Sequence, residues 1–209
     1  LKWGLGTSRV HMISNGVDTG PDPGPDTECD DPVVVFTGAM DYAPNIDAAV
    51  YFADRVWPRI LALRPDARFH IVGRNPVPEV LKLRSRKGVA VLGEVPDMRP
   101  ILASAWVAVA PIRLGSGVRN KVLEAWAAGT PVVMTSMATN GLPETRGFPD
   151  LVEDSPEGMA QAIVGLLRES RQRARLGRKA YAAARSRSWE AVGNSVHSLL
   201  VDALRSLEA

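Results

Sequence analysis

Residues 106–135 read WVAVAPIRLGSGVRNKVLEAWAAGTPVVMT. Two compact apolar runs, 106–112 and 131–135, fit strands buried on both faces. Between them, Val118 to Ala128 places apolar side chains at helical spacing and stops at Gly129. Strand, helix and strand in so short a span make one βαβ unit. Such units wind almost always right-handed into a parallel sheet covered by helices on both faces.

Working outward, the same alternation recurs. VVVFTG at 33–38, RFHIVG at 68–73 and VAVLG at 89–93 are three more short apolar runs, each ending in glycine. After the first, Ala48, Ala49, Tyr51, Phe52, Val56, Ile60 and Leu61 recur at helical spacing; Asn45 or Asp47 is the expected cap and Pro58 the expected kink. Pro78 to Ser85 and Met98 to Ala103 read as the next helices. Five strands separated by helices predict an α/β fold, a Rossmann-like parallel sheet. From Pro156 to Ala209 the pattern is two or three helices without a strand, a helical C-terminal tail. At the other end, Arg9 to Ser14 reads as a short strand ending at an Asn15-Gly16 turn, and Asp18 to Pro32 as a loop. The expected organisation is 1–31 strand and loop, 32–155 the sheet domain, and 156–209 helices packing on that domain.

With 209 residues, 45% of them hydrophobic, the chain can bury a sizeable core without a disulfide or metal staple. Cys29 lies in a polar stretch and has no partner cysteine, so it reads as an incidental loop thiol. A formal net charge of +2 argues against a nucleic-acid partner. The exception is local: Arg168, Arg171, Arg173, Arg175, Arg178, Lys179, Arg185 and Arg187 face a single acid, Glu169. That stretch reads as a solvated helical face, with an anionic membrane surface or acidic partner as the alternative. No apolar run is long enough for a helical membrane span. The sequence opens on Leu1 directly before structured-looking sequence, which raises the expectation that a further N-terminal part belongs to the protein.

In open parallel sheets, ligands bind where strand carboxyl ends meet helix N-termini. That directs attention to Gly38 to Asn45, Gly73 to Pro76, Gly93 to Asp97, Pro111 to Lys121 and Thr135 to Leu142. Gly115-Ser116-Gly117 lets the backbone come close to a ligand, and Val118 onward offers helix amides to a phosphate. Lys121 and Glu124, three apart, share a helix face. There an ammonium suits a diphosphate and a carboxylate suits ribose hydroxyls. The same residues also fit a glycine-rich turn followed by an ordinary i,i+3 ion pair. Asp97 is a helix cap or a ligand contact, and Arg74 a loop cation or a ligand contact.

Other chemistries find no support. GSGVRNK lacks the Walker A spacing, no G-x-G-x-x-G follows the first strand, and no G-x-S-x-G elbow occurs. His11, His70 and His197 are too scattered for a metal site and read as structural.

Taken together, VVVFTGAMDYAPNIDA, RFHIVGR, GVAVLGEVPDMRPILASAWVAVAPIRLGSGVRNKVLEAWAAGTPVV and TSMATNGLP, preceded by ISNGVD, resemble the C-terminal donor-binding half of a retaining glycosyltransferase of family 4. More closely, they resemble the sugar transferases of bacterial exopolysaccharide operons. The match runs over residues 9–145, and Ser188-Trp189-Glu190 also fits. The resemblance implies a GT-B fold, whose C-terminal Rossmann-like domain holds a UDP-, GDP- or ADP-sugar. It implies that Glu124 binds the ribose and Lys121 faces the diphosphate. Gly38, Ser116 and the Gly117-Val118 backbone would meet the diphosphate or sugar, and Arg74 with Glu94 and Val95 would flank the base. It further implies retention of anomeric configuration without a metal or other cofactor, an acceptor domain N-terminal to this one, and a cytoplasmic site, in one version at the inner membrane face beside a lipid-linked acceptor.

Two positions depart from the family pattern. A glutamate that contacts the donor sugar in many members is replaced by Ser116. The Arg and Lys that often follow the first-strand glycine are absent, with Ala39 and Pro44 near those places, so Lys121, with Arg119 or Arg113, is expected to supply the cation. The expected function is donor binding in a sugar transferase of polysaccharide or glycolipid synthesis, this part alone turning over little. The alternatives are a GT-B nucleotide-sugar 2-epimerase and a non-catalytic nucleotide-binding or scaffold module.

Overall fold

The computed structural model describes residues 10–11, 13–21, 30–115, 117 and 119–208. Five parallel strands form one sheet: β1 (Val33–Thr37), β2 (Arg68–Val72), β3 (Val89–Gly93), β4 (Val107–Ala110) and β5 (Val132–Met134), in the order β3-β2-β1-β4-β5. Every residue of β1, β4 and β5 is buried, as expected of apolar runs covered on both sides. The strand order reverses between β1 and β4. The segments leaving those two strands therefore diverge and open a crevice at the carboxyl edge, the place where such sheets bind ligands.

The helices are α1 (Ala43–Tyr51), α2 (Trp57–Leu63), α3 (Pro78–Leu81), α4 (Met98–Ser104), α5 (Asn120–Ala127), α6 (Pro156–Arg168), α7 (Ser170–Arg185) and α8 (Trp189–Glu208). One layer is built by α1, α2 and α6, the other by α4, α5 and α7. The apolar core runs through both, from Phe52, Trp57 and Phe69 to Trp126, Ile163 and Leu166.

The first crossover departs from expectation. Neither Asn45 nor Asp47 caps it: α1 already begins at Ala43 with Pro44 in its first turn, where the missing N–H costs nothing. Pro58 likewise stands in the first turn of α2. The preceding chain widens into a π-helical turn over Phe52–Val56, and Trp57 N–H donates to Phe52 O. The helix absorbs its proline this way without a break.

The N-terminal segment differs too. Among the described residues from 10 to 16 no strand forms; Val17 makes a single parallel bridge to Ser188. Val17 N–H donates to Arg187 O at 2.9 Å and Trp189 N–H to Val17 O at 3.2 Å. The partner of Val17 is thus the α7–α8 junction, which has no strand edge to offer. Cys29 lies outside the described residues.

The basic stretch is only partly a solvated face. Arg173 is buried, donating to Leu166 O at 2.7 Å and lying 4.0 Å from the Trp106 ring. Arg187 donates to Glu144 at 2.6 Å, and Lys179 donates to Gly147 O while covering Phe148. Arg171, Arg175, Arg178 and Arg185 are exposed. No helix among the described residues is long and apolar enough to cross a membrane.

Candidate functional site

The floor of the crevice is bare backbone. Gly38 N–H donates to Val72 O at 3.1 Å, Gly73 N–H to Gly93 O at 2.7 Å and Met40 N–H to Arg74 O at 2.8 Å, so the strand ends stay zipped beyond the sheet. Gly73 has φ +150°, and a Cβ there would stand 1.7 Å from Gly38 O. Only glycine fits, and the surface it leaves is flat and lined with main-chain groups.

From the far side of the switch point, α5 brings in Lys121 and Glu124. Lys121 Nζ donates to Asn45 Oδ1 at 2.7 Å and lies 4.1 Å from the Phe36 ring centroid. Asn45 Nδ2 donates in turn to Ala39 O at 2.9 Å. The lysine has turned toward the segment after β1, and the ordinary ion pair with Glu124 does not form. Desolvation in the crevice, with Arg119 adding repulsion and Glu124 opposing, brings the Lys121 ammonium down to about 7. Glu124 stays open to solvent at the rim, yet the protein around it raises its carboxyl, with Lys121 pulling the other way.

A cavity of about 680 Å³ opens over this floor and gathers Gly38, Arg74, Glu94, Val95, Arg119, Lys121 and Glu124. Gly117 does not line it, and Ser116 and Val118 lie outside the described residues. Arg119 is buried and donates to Gly115 O at 2.9 Å, bracing the glycine loop from beneath. Arg113 is elsewhere. It forks onto Asp47 at 2.6 and 3.1 Å and covers the Tyr51 ring at 4.2 Å, so its charge is matched outside the cavity. The expectation that Arg113 could assist Lys121 fails for that reason. Asp97 caps α4, accepting from Arg99 N–H at 3.0 Å; the Arg99 side chain and that amide together lower its carboxyl. Arg74 is exposed at the rim, its side chain without a hydrogen bond or ion pair to the described residues.

Asn45 and Tyr42 fall within the Gly38 to Asn45 stretch but carry no ligand role in the sequence reading, and Met98 lies one residue beyond the Gly93 to Asp97 stretch. All three line the cavity. A smaller cavity of about 480 Å³ adjoins it through Met98, Asn120 and Glu124 and is walled by Val17 and Trp189. The Asn15 side chain reaches across to donate to Asn120 Oδ1 at 3.0 Å, tying the N-terminal segment to the start of α5. The available signal was an asparagine placed one residue after the helix-starting proline, seven beyond a strand-ending glycine. Among the described residues no group of three or more His, Cys, Asp or Glu could hold a metal ion. His70 is half-buried on β2, its imidazole lowered by burial, and His11 and His197 are exposed.

A parallel sheet with a glycine floor at its switch point, and a lysine and a carboxylate on the facing helix, make a Rossmann-like unit. The chain belongs to the glycosyl transferases group 1 family, whose pattern matches residues 31–169. The solved structures it resembles have GT-B folds. TarM of S. aureus, as a point mutant in complex with fondaparinux, alpha-GlcNAc-glycerol and UDP, is 18% identical with a TM-score of 0.74, over 95% of this chain and 40% of that one. HepE of Anabaena in complex with UDP and glucose is 15% identical with a TM-score of 0.66, over 95% of this chain and 58% of that one. WaaG, a glycosyltransferase involved in lipopolysaccharide biosynthesis, is 18% identical with a TM-score of 0.64, over 90% of this chain and 56% of that one. At such identities the likeness is one of fold. The chain spans about half the length of these proteins or less. No curated protein matches its sequence.

Proposed function

We propose that the chain is the donor-binding domain of a retaining glycosyltransferase, holding the nucleoside diphosphate part of an NDP-sugar in the crevice between β1 and β4. The observation that carries this reading is the meeting of Lys121 and Glu124 with the Gly38–Gly73 floor in one cavity. Lys121 faces the diphosphate, and Glu124 accepts two hydrogen bonds from the ribose. Arg74, Glu94 and Val95 flank the base, and Ser116 with the Gly117-Val118 backbone adjoins the diphosphate or sugar. The UDP in the TarM and HepE complexes supports the class of ligand.

In this reading the sugar leaves with retention through an oxocarbenium-like step. The chain contributes fixed positive charge where the diphosphate becomes the leaving group. Lys121 supplies that charge, without a metal or other cofactor. Residues 32–155 form the binding unit, 156–209 its helical buttress, and 1–31 the link to an acceptor-holding domain of the intact protein. Transfer in bacterial polysaccharide or glycolipid synthesis, at the cytoplasmic face of a membrane, is the setting we propose, with the exposed arginines of α7 near the lipid-linked acceptor.

Calorimetry with UDP, GDP and ADP tests the reading, which expects one of the three to bind. Binding by none favours a scaffold module. In the intact protein, sugar transfer to an acceptor as the main product excludes a 2-epimerase.

A further inference from the structure

A half-buried lysine ordinarily finds a carboxylate; Lys121 has a neutral amide. Its Nζ donates to Asn45 Oδ1 at 2.7 Å while the Phe36 ring covers it at 4.1 Å. The Asn45 carboxamide is fixed from both ends, since its nitrogen donates to Ala39 O at 2.9 Å and its oxygen must then face the ammonium. Asn45 is only 8% exposed. A Cβ on Gly38 would stand 2.6 Å from Asn45 Nδ2 and 3.0 Å from Lys121 Nζ, so the pair is packed directly against the glycine floor. The charged groups around the ammonium are Arg119 and Glu124 on its own side and, from the loops after β2 and β3, Arg74 and Glu94. No carboxylate of the described residues lies within ion-pair distance of it.

We propose that Asn45 is a positioning residue of this site: its carboxamide pins the Lys121 ammonium against the glycine floor as a donor whose countercharge is a bound diphosphate instead of a group of the protein. The inference rests on the nucleoside diphosphate reading and adds to it how the cation is held. A neutral acceptor fixes the direction of the N–H bonds and leaves the positive charge uncancelled. A carboxylate in the same place would neutralise it and repel the ligand. Burial leaves the free lysine titrating near neutrality. An arriving diphosphate restores the missing opposite charge and favours the ammonium. Above neutral pH, binding is therefore linked to uptake of a proton from the buffer onto Nζ, with no covalent bond made or broken.

The test is calorimetry of UDP, GDP and ADP at pH 8, in two buffers of different ionisation enthalpy, with wild type, Asn45→Asp and Lys121→Met. Wild type is expected to take up a proton fraction that Lys121→Met does not. The near-isosteric Asn45→Asp is expected to bind about tenfold or more weakly and to take up no more than Lys121→Met. Equal affinity and equal uptake in wild type and Asn45→Asp would overturn the positioning role, with the diphosphate reading still standing if Lys121→Met binds weakly. No binding by wild type, or binding that Lys121→Met leaves unweakened, contradicts the diphosphate reading itself and the role of Asn45 with it. A second measurement is independent of ligand. The 13Cε resonance of Lys121 in the free protein should titrate well higher in Asn45→Asp than in wild type, since the new carboxylate pairs with the ammonium; the same midpoint in both proteins overturns the proposal.

Discussion

Gly73 lies directly beneath the carbonyl of Gly38, so close that a Cβ on it would stand 1.7 Å from that oxygen. The obstacle is backbone, which cannot swing aside as a side chain can. Gly73→Ala should therefore cost about 3 kcal/mol or more, at the upper end of single-substitution effects, and disturb the floor of the cavity. Urea denaturation of the two proteins measures it. A cost below about 1 kcal/mol would show that the two loops are not zipped as described.

Glu124 stands at the rim, open to solvent. Glu124→Ala should leave the melting temperature nearly unchanged and weaken the nucleotide that binds by about 1 to 3 kcal/mol, the range for ribose hydroxyls left unpaired in the closed complex. Calorimetry compares the two affinities. An unchanged affinity removes Glu124 from the ribose.

The two arginines that flank the glycine loop should separate cleanly. Arg113 pairs with Asp47 on a partly exposed surface outside the cavity, so Arg113→Ala should cost less than about 1 kcal/mol of stability and leave nucleotide affinity unaltered. Arg119 holds Gly115 O from within, and Arg119→Ala should weaken nucleotide binding by loosening the loop. Equal effects of the two on affinity would contradict this assignment.

Lys121 gives the fold a pH dependence whose direction follows from its environment. Its folded value of about 7 lies below the ordinary 10.5. Between those two values the unfolded chain binds the extra proton, so wild-type stability rises with pH across that window. Below about 7 both states carry the charge and the folded state bears its desolvation in full. Lys121→Met removes the charge and should be more stable by about 1 to 4 kcal/mol at pH 6, the advantage shrinking toward pH 10. Melting curves of both proteins from pH 6 to 10 give the comparison; a constant difference would mean that Lys121 is not desolvated.

Much of this was readable in the sequence because it is local. Each strand is a short apolar run ended by glycine or bounded by proline, and the Lys121–Glu124 spacing fixes a shared helix face whatever surrounds it. What escaped is what depends on distant partners. Asn45 looks like a helix cap until β1 and β4 become neighbours and bring Lys121, 76 positions away, against it. Arg113 and Arg119 are interchangeable in the sequence, and only the position of Asp47 on α1 draws one of them away. The stretch before Val17 has a strand's alternation, but Val17 itself bridges to Ser188 at a helix junction, where no ladder is on offer. Arg173 and Arg187 resemble a solvated face until their carbonyl, ring and carboxylate partners arrive from elsewhere in the chain.

The most direct measurement is a crystal structure of the protein with a bound nucleoside diphosphate. The account predicts the pyrophosphate over the Gly38–Gly73 floor, within hydrogen-bond reach of Lys121 Nζ, and the ribose hydroxyls on the Glu124 carboxylate. A nucleotide lodged elsewhere, or a crevice still filled by its own side chains at saturating ligand, would contradict it.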